Sequence, residues 1–207
     1  MNTLHFGTPT DDSEELARAE VYGLLSALFS AAPSAELYGQ LQVAVTEAPA
    51  AGAFLERAFG ALVESSRRLP LAAVRDEYDA LFQGIGKPEV FLHASYFIAG
   101  ALNEKPLATL RDDLRVLGLE RQPEQFMTED HLACLCEVMR LLIAGDDFAA
   151  HDLATQRRFF DAHLRGWTEA LWDVLEAHPQ GDFYRATASF ARDFFSVEVQ
   201  AFDMLDA

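Results

Sequence analysis

The run TEDHLACLCEVMRLLIAG, residues 128–145, shows most directly how this chain folds. Its apolar residues recur at intervals of three and four, the spacing of one face of an α-helix; they are Leu132, Leu135, Met139, Leu142 and Ile143. Thr128 is a candidate N-cap, which would put Glu129 and Asp130 in the positively polarised first turn. The stretch therefore predicts an amphipathic helix with one face in a core, and Gly145 is placed to end it.

The same spacing recurs along the chain, with no convincing strand and no repeat of fixed length. Asp11-Asp12-Ser13 and Pro33-Ser34 each predict a helix start, and Pro106 suits a helical first turn. Further helices are predicted over 54–63, from Pro70, over 93–102, over 159–175 with a bend near Gly166, and over 183–202. The chain is therefore expected to be all-α, a single compact domain of about nine to ten helices over 1–207. Residues 1–10 are expected to form a flexible N-terminal segment.

One connection stands out between the two halves of this pattern. Gly84-Ile85-Gly86-Lys87-Pro88 follows Tyr78, Leu81 and Phe82, which share a helical face. Glycine and proline at this density do not continue a helix. Residues 84–92 are therefore predicted to form a hinge-like loop.

Composition and charge narrow the partners and the compartment. The chain has 207 residues and a formal net charge of −17, from 33 Asp and Glu against 16 Lys and Arg. A field of this sign disfavours nucleic acid and anionic lipid and favours cationic partners. The apolar runs fall short of the roughly 18–20 residues that a spanning helix needs, and no secretory or twin-arginine signal is visible. Cys134 and Cys136 point to opposite sides of a helix, so reduced thiols are expected. We expect a cytoplasmic protein without stable membrane insertion.

The templates for catalysis and metal binding fail. Gly84-Ile85-Gly86-Lys87 lacks the spacing of a phosphate-binding loop, and no Gly-x-Ser-x-Gly elbow occurs. Glu129 and His131 are two residues apart, a spacing that diverges on a helix, whereas diiron bundles place Glu and His three apart. We therefore predict no catalytic residue, no metal ligand and no cofactor, and a protein that is not an enzyme.

Several ordered fragments resemble one known family. They are Glu77-Tyr78-x-x-Leu81-Phe82, Gly84-x-Gly86-x-Pro88, Ser95-x-Phe97, Pro106-Leu107, Leu110-Arg111, Glu129-Asp130-His131, Gln156-x-x-Phe159-Phe160, His163-Leu164, Trp167 and Phe183-Tyr184. In this order and spacing the chain resembles the TorD/DmsD/NarJ family of cytoplasmic chaperones for molybdenum oxidoreductases, from about Glu15 to Phe202.

The resemblance implies an all-helical chaperone that binds the twin-arginine signal peptide, the apo form of an oxidoreductase subunit, or both. It implies assistance with cofactor insertion and proofreading before export, by a monomer or a domain-swapped homodimer. Carried over by motif, the peptide-binding residues would be Tyr78, Leu81, Phe82, Pro88, Ser95, Asp130 and His131. Asp130 would orient His131 or accept from the basic region of the peptide. His131 would donate a hydrogen bond and, with an ordinary imidazole pKa, would titrate near physiological pH.

The chain also departs from the family pattern. Many relatives carry Pro-Trp before the serine of the loop motif, where this chain has Leu92-His93-Ala94-Ser95. The runs Gly86-Lys87-Pro88-Glu89-Val90 and Asn103-Glu104-Lys105-Pro106-Leu107 resemble a branch associated with formate-dehydrogenase-type enzymes.

Two other classes stay open at this point. One is an all-α metal- or small-molecule-binding enzyme that uses Glu129, Asp130, His131 and His163. The other is a generic helical interaction protein with an unrelated basic partner.

Overall fold

The computed structural model describes residues 11–45, 55–84, 86–122, 126–145 and 152–205, and apart from one isolated β-bridge the regular secondary structure there is helical. The helices are α1 (Asp11–Ser30), α2 (Ala35–Gln42), α3 (Glu56–Arg68), α4 (Leu71–Tyr78), α5 (Ala94–Ala99), α6 (Lys105–Val116), α7 (Leu132–Ala144), α8 (Leu153–His163), α9 (Thr168–Ala177) and α10 (Phe183–Met204). A π-helical turn, Asp79–Gln83, directly follows α4. The prediction of an all-α fold of about ten helices is confirmed. The predicted flexible segment 1–10 and the predicted helix start at Phe54 lie outside the described residues.

The chain contacts divide the helices into two compact units. In the first unit, Ala31–Val90 packs with Trp172–Ala207; in the second, α1 packs with Phe91–Leu171. The chain passes from the first unit to the second between Val90 and Phe91. This point lies inside the connection 84–92 that the sequence predicts to be a hinge-like loop. A single domain over 1–207 stays a prediction.

The core of the first unit is aromatic. Helix α10 packs against α3 and α4, and rings from both contact its buried aromatic side chains. Between ring centroids, Phe59 of α3 lies 5.5 Å from Phe190 and Tyr78 of α4 lies 5.8 Å from Tyr184. Tilted and edge-on pairs of this kind add to the free energy gained from area burial. The phenylalanine-rich pattern over 183–202 is thus a packing face.

The core of the second unit is built on α1 against α7. All five residues of the predicted α7 face are buried: Leu132, Leu135, Met139, Leu142 and Ile143. Gln156 of α8 is buried beside them, where its amide oxygen accepts a hydrogen bond from the Arg18 guanidinium at 3.1 Å. The sequence pattern predicted this helix face correctly.

Two predicted boundaries are wrong. Residues 159–175 form parts of two helices, because α8 ends at His163 and α9 begins at Thr168. The indole N–H of Trp167 donates to the His163 carbonyl at 2.7 Å, so this break is stabilised by a side chain. Helix α7 begins at Leu132 with His131 as its N-cap, and not directly after Thr128.

Within the described residues, no helix combines the length and the apolar character needed to cross a membrane.

Candidate peptide-binding site

The segments that lead into α5 and α7 are joined by a short antiparallel bridge between His93 and His131. The Leu132 N–H donates to the Leu92 carbonyl at 2.7 Å, and the Ala94 N–H donates to the Asp130 carbonyl at 3.0 Å. Because the bridge comes directly before both helices, it sets where each of them starts. We call this bridge with the side chains of Asp130 and His131 the clip.

Asp130 caps a helix to which it does not belong. Its side chain is 1% exposed, and its carboxylate accepts from the Ser95 N–H of α5 at 3.0 Å and from the Thr128 hydroxyl at 2.6 Å. Burial alone would raise the pKa of Asp130, but the hydrogen bonds from Ser95 and Thr128 hold this pKa below its usual value. Asp130 therefore supplies the acceptor that the first turn of α5 needs. These contacts replace the expected one, in which Asp130 orients His131.

His131 caps its own helix. Its Nδ1 accepts the Ala133 N–H at 3.2 Å, so the ring is neutral with the proton on Nε2. Burial, together with the neighbouring His93, lowers the pKa of His131 to about 3. The expectation that His131 titrates near physiological pH is therefore wrong, because a cationic ring would lose this acceptor inside the protein. Thr128, the predicted cap, instead donates its hydroxyl to Asp130.

An open cavity of about 360 Å³ lies beside the clip, in the second unit. Its walls come mainly from α5 and α6, with one residue of α7 and two of α8. Most of the lining residues are apolar; they include Ile98, Ala99, Pro106, Leu110 and Leu135. Asp130, Lys105 and His163 are the charged or titratable side chains among the lining residues. Pockets that bind ligands range over about 300–1,000 Å³. This cavity can take one or two side chains of a partner.

The aromatic set that precedes the connection lies in the first unit. Tyr78 is 3% exposed and Leu81 is 0% exposed, so both are core residues in this conformation. Phe82 is half-buried, with its ring 5.1 Å from Tyr78 and 5.0 Å from Tyr184. Of these three predicted residues, only Phe82 offers surface to a partner.

The connection that follows the π-helical turn is hydrogen-bonded back to that turn. The Leu81 carbonyl accepts the Val90 N–H at 2.9 Å, and Pro88 is half-buried within the loop that this bond closes. A side chain at Gly84 would collide with the carbonyl of Lys87, so the tight return requires glycine there. The connection is thus held at both ends.

A residue that the site prediction did not include holds α10 in place. Glu77 accepts backbone N–H bonds from Asp182 at 2.8 Å, Phe183 at 3.0 Å and Tyr184 at 2.8 Å. These are donors at the N-terminus of α10, where a carboxylate is also favoured by the helix dipole. In the sequence, this role is indicated only by the position of Glu77, a charged residue directly before Tyr78 and close to other residues expected in a core.

The structure therefore brings Ser95, Asp130 and His131 together in the second unit and places Tyr78, Leu81, Phe82 and Pro88 in the first. Contact of any of them with a client stays a prediction. In the described part of the chain, no three His, Cys, Asp or Glu residues are grouped so that they could hold a metal ion.

Comparisons with known proteins agree with this architecture. A family described as nitrate reductase delta subunit matches residues 45–173. The fold is similar to the solved structure of a proposed redox enzyme maturation protein from Archaeoglobus fulgidus, with 19% identity, a TM-score of 0.54, and coverage of 94% of this chain and 96% of that one. Comparison with curated proteins gave no match. The chain belongs to the nitrate reductase delta subunit family, the NarJ/TorD-type chaperones, and is a redox enzyme maturation chaperone for molybdoenzymes.

Proposed function

We propose that this chaperone serves one molybdopterin oxidoreductase, binding the twin-arginine signal peptide of its catalytic subunit, the apo subunit, or both. It assists cofactor insertion and delays export until insertion is complete. The client is of the formate-dehydrogenase type, because the runs 86–90 and 103–107 resemble the branch associated with such enzymes. Because this work precedes export, the protein acts in the cytoplasm.

The observation that carries this proposal is the open apolar cavity in an acidic, all-helical member of a chaperone family. A twin-arginine leader has a basic start and an apolar middle. The charge of −17 attracts the first part, and an apolar recess can bury side chains of the second. Each large apolar side chain buried contributes about 1.5–3 kcal/mol before the costs of ordering the peptide. Micromolar binding corresponds to about 8 kcal/mol. The one or two side chains that the cavity takes supply only part of this, so contacts of the basic start of the leader with the acidic surface must add to it.

Calorimetric titration tests the proposal. The probes are synthetic twin-arginine signal peptides of molybdopterin oxidoreductases, one of them of formate-dehydrogenase type, with scrambled peptides of equal composition as controls. We expect saturable binding to at least one leader and none to its scrambled form. Equal binding of both forms would support a generic interaction protein instead. Absence of binding to every leader and to the apo subunit would contradict the proposal.

A further inference from the structure

An acidic side chain outside the predicted site, Asp113, is bonded to a residue that lines the cavity beside the clip. Lys105, Pro106, Thr109 and Leu110 of α6 line the cavity. Residues three and four apart share a helix face, so Asp113 continues this face one turn further. His163, which also lines the cavity, bonds to Asp113 through Nε2 at 2.7 Å. Asp113 therefore lies next to the cavity lining, one turn of α6 beyond Leu110 and bonded to His163.

The Asp113 carboxylate is bonded to a neutral imidazole, whereas the neighbouring carboxylates are bonded to guanidinium groups. Burial lowers the pKa of His163, and Asp113 only partly opposes this effect, so the ring is neutral at physiological pH and donates Nε2–H to the carboxylate. The neighbouring Asp112 and Asp161 bond to the guanidinium groups of Arg115 and Arg165, at 2.7 and 3.0 Å. Asp113 thus keeps a negative charge that its neutral partner does not cancel, and its side chain is 50% exposed.

We propose that the cavity and Asp113 form a two-part subsite for an arginine and a nearby apolar residue of the client segment. The apolar side chain fills the recess between α5 and α6, and the guanidinium binds Asp113. The inference rests on the proposed function and specifies which part of a basic–apolar leader this unit reads. An ammonium group would bond less well here, because guanidinium presents a planar fork of donors to a carboxylate.

The position of Lys105 determines the direction in which a peptide lies in the subsite. It lines the cavity at the start of α6, eight residues before Asp113, which corresponds to about 12 Å along the helix axis at 1.5 Å per residue. A second basic residue of the client is repelled at that end. The peptide therefore lies with its arginine toward Asp113 and its apolar residues toward Lys105. About three or four extended residues span this length at 3.3 Å each.

The first test changes charge. The dissociation constant of a fluorescently labelled twin-arginine signal peptide is measured at low salt for the full chain and for Asp113→Asn, with Asp112→Asn as a matched control on the same helix. Asp113→Asn should weaken binding about fivefold, the size expected for a partly exposed ion pair, and should flatten the salt dependence. Asp112→Asn should leave both unchanged. Asp113→Glu should recover part of the loss, which separates charge from folding.

The second test fills the cavity. Thr109→Trp places a large ring in the recess from an exposed position, and Ala108→Trp adds the same ring beside it, outside the lining. Thr109→Trp should weaken binding at least about tenfold through loss of one buried apolar side chain, while Ala108→Trp should not. Circular dichroism and thermal melting confirm that the compared variants are folded.

The third test uses the peptide. Replacing both arginines of the leader by glutamine should remove the difference between Asp113→Asn and the unaltered protein, as expected for a coupled pair. The inference is overturned if the leader binds the unaltered protein but Asp113→Asn and Asp112→Asn behave alike, or if Thr109→Trp binds as tightly as Ala108→Trp. Failure of the unaltered protein to bind any leader would overturn the proposed function itself, and the two failures are distinguishable.

Discussion

Acidification should destabilise this protein through His131, and the direction follows from its place in the clip. The pKa of His131 is about 3 in the folded state, because the ring is buried and lies beside His93. In the unfolded chain it returns to about 6.5. The folded pKa is the lower one, so the stability linked to this group is complete above pH 6.5. It is lost as the pH falls toward 3, where only the unfolded state gains the proton.

The magnitude follows from the separation of these two pKa values. One proton bound only by the unfolded state lowers the free energy of unfolding by about 1.4 kcal/mol per pH unit below 6.5. Between pH 7 and pH 5 His131 alone therefore removes about 2 kcal/mol, a large share of the 5–15 kcal/mol typical of a folded protein. Burial also lowers the pKa of His93, so protonation of His93 in the unfolded chain further lowers the free energy of unfolding as the pH falls.

Urea denaturation at pH 7 and pH 5 measures this loss. His131→Asn keeps a residue type that caps helices but removes the titration. It should therefore lose about 2 kcal/mol less than the unaltered protein over this pH range. Comparing pH-dependent differences within each variant cancels any effect of the smaller side chain at pH 7. His178→Asn controls for removal of a histidine whose Nδ1 also accepts a backbone N–H, from Gln180 at 3.3 Å. Equal pH-dependent losses in His131→Asn and the unaltered protein would refute the reasoning.

Four further outcomes are expected. Glu77→Ala strands three backbone donors of α10 and should cost about 3 kcal/mol in urea denaturation, with Glu77→Gln costing less; a loss below about 1 kcal/mol contradicts the cap. Asp130→Ala removes the acceptor for α5 and should cost about 2–3 kcal/mol by the same measurement, whereas a purely client-facing carboxylate would leave stability unchanged. Gly84→Ala should lower the melting temperature, since the added carbon meets the Lys87 carbonyl; an unchanged melting temperature would show that the connection yields freely. Burial, with nearby acids, raises the pKa of the Cys134 thiol to about 11, so a smaller fraction of Cys134 is thiolate at pH 8 in native than in unfolded protein. Cys134 should therefore react with a disulfide reagent about two hundredfold more slowly in the native protein, and equal rates would contradict this.

The helices were predictable because their signal is local. The face of α7, the Ser34 cap of α2 and Pro106 in the first turn of α6 depend on residues within one or two turns of each other. The structure contains all three. The break between α8 and α9 was predicted only as a bend near Gly166, because it is stabilised by a bond from Trp167 and leaves only a weak trace in the apolar spacing.

The sequence picked out Ser95, Asp130 and His131, which the structure brings together, but it did not predict the hydrogen bonds that they make. Asp130 and His131 stand out by motif and do lie together, beside a cavity. Their bonds, however, go to Ser95, Thr128 and Ala133, so in this structure they organise two helix starts. The spacing of Tyr78 and Leu81 fits a binding face as well as a buried face, and in the structure both side chains are buried.

The all-α class, the negative net charge and the family could all be predicted from the residues alone, because helical period, charge and motif order are properties of the linear chain. The tertiary structure alone decided which carboxylate caps which helix. Glu77 meets the start of α10 more than a hundred residues later, and Asp130 meets Ser95 thirty-five residues earlier. A helix end accepts any correctly placed acceptor, so its partner is chosen by packing and leaves no periodic trace in the chain.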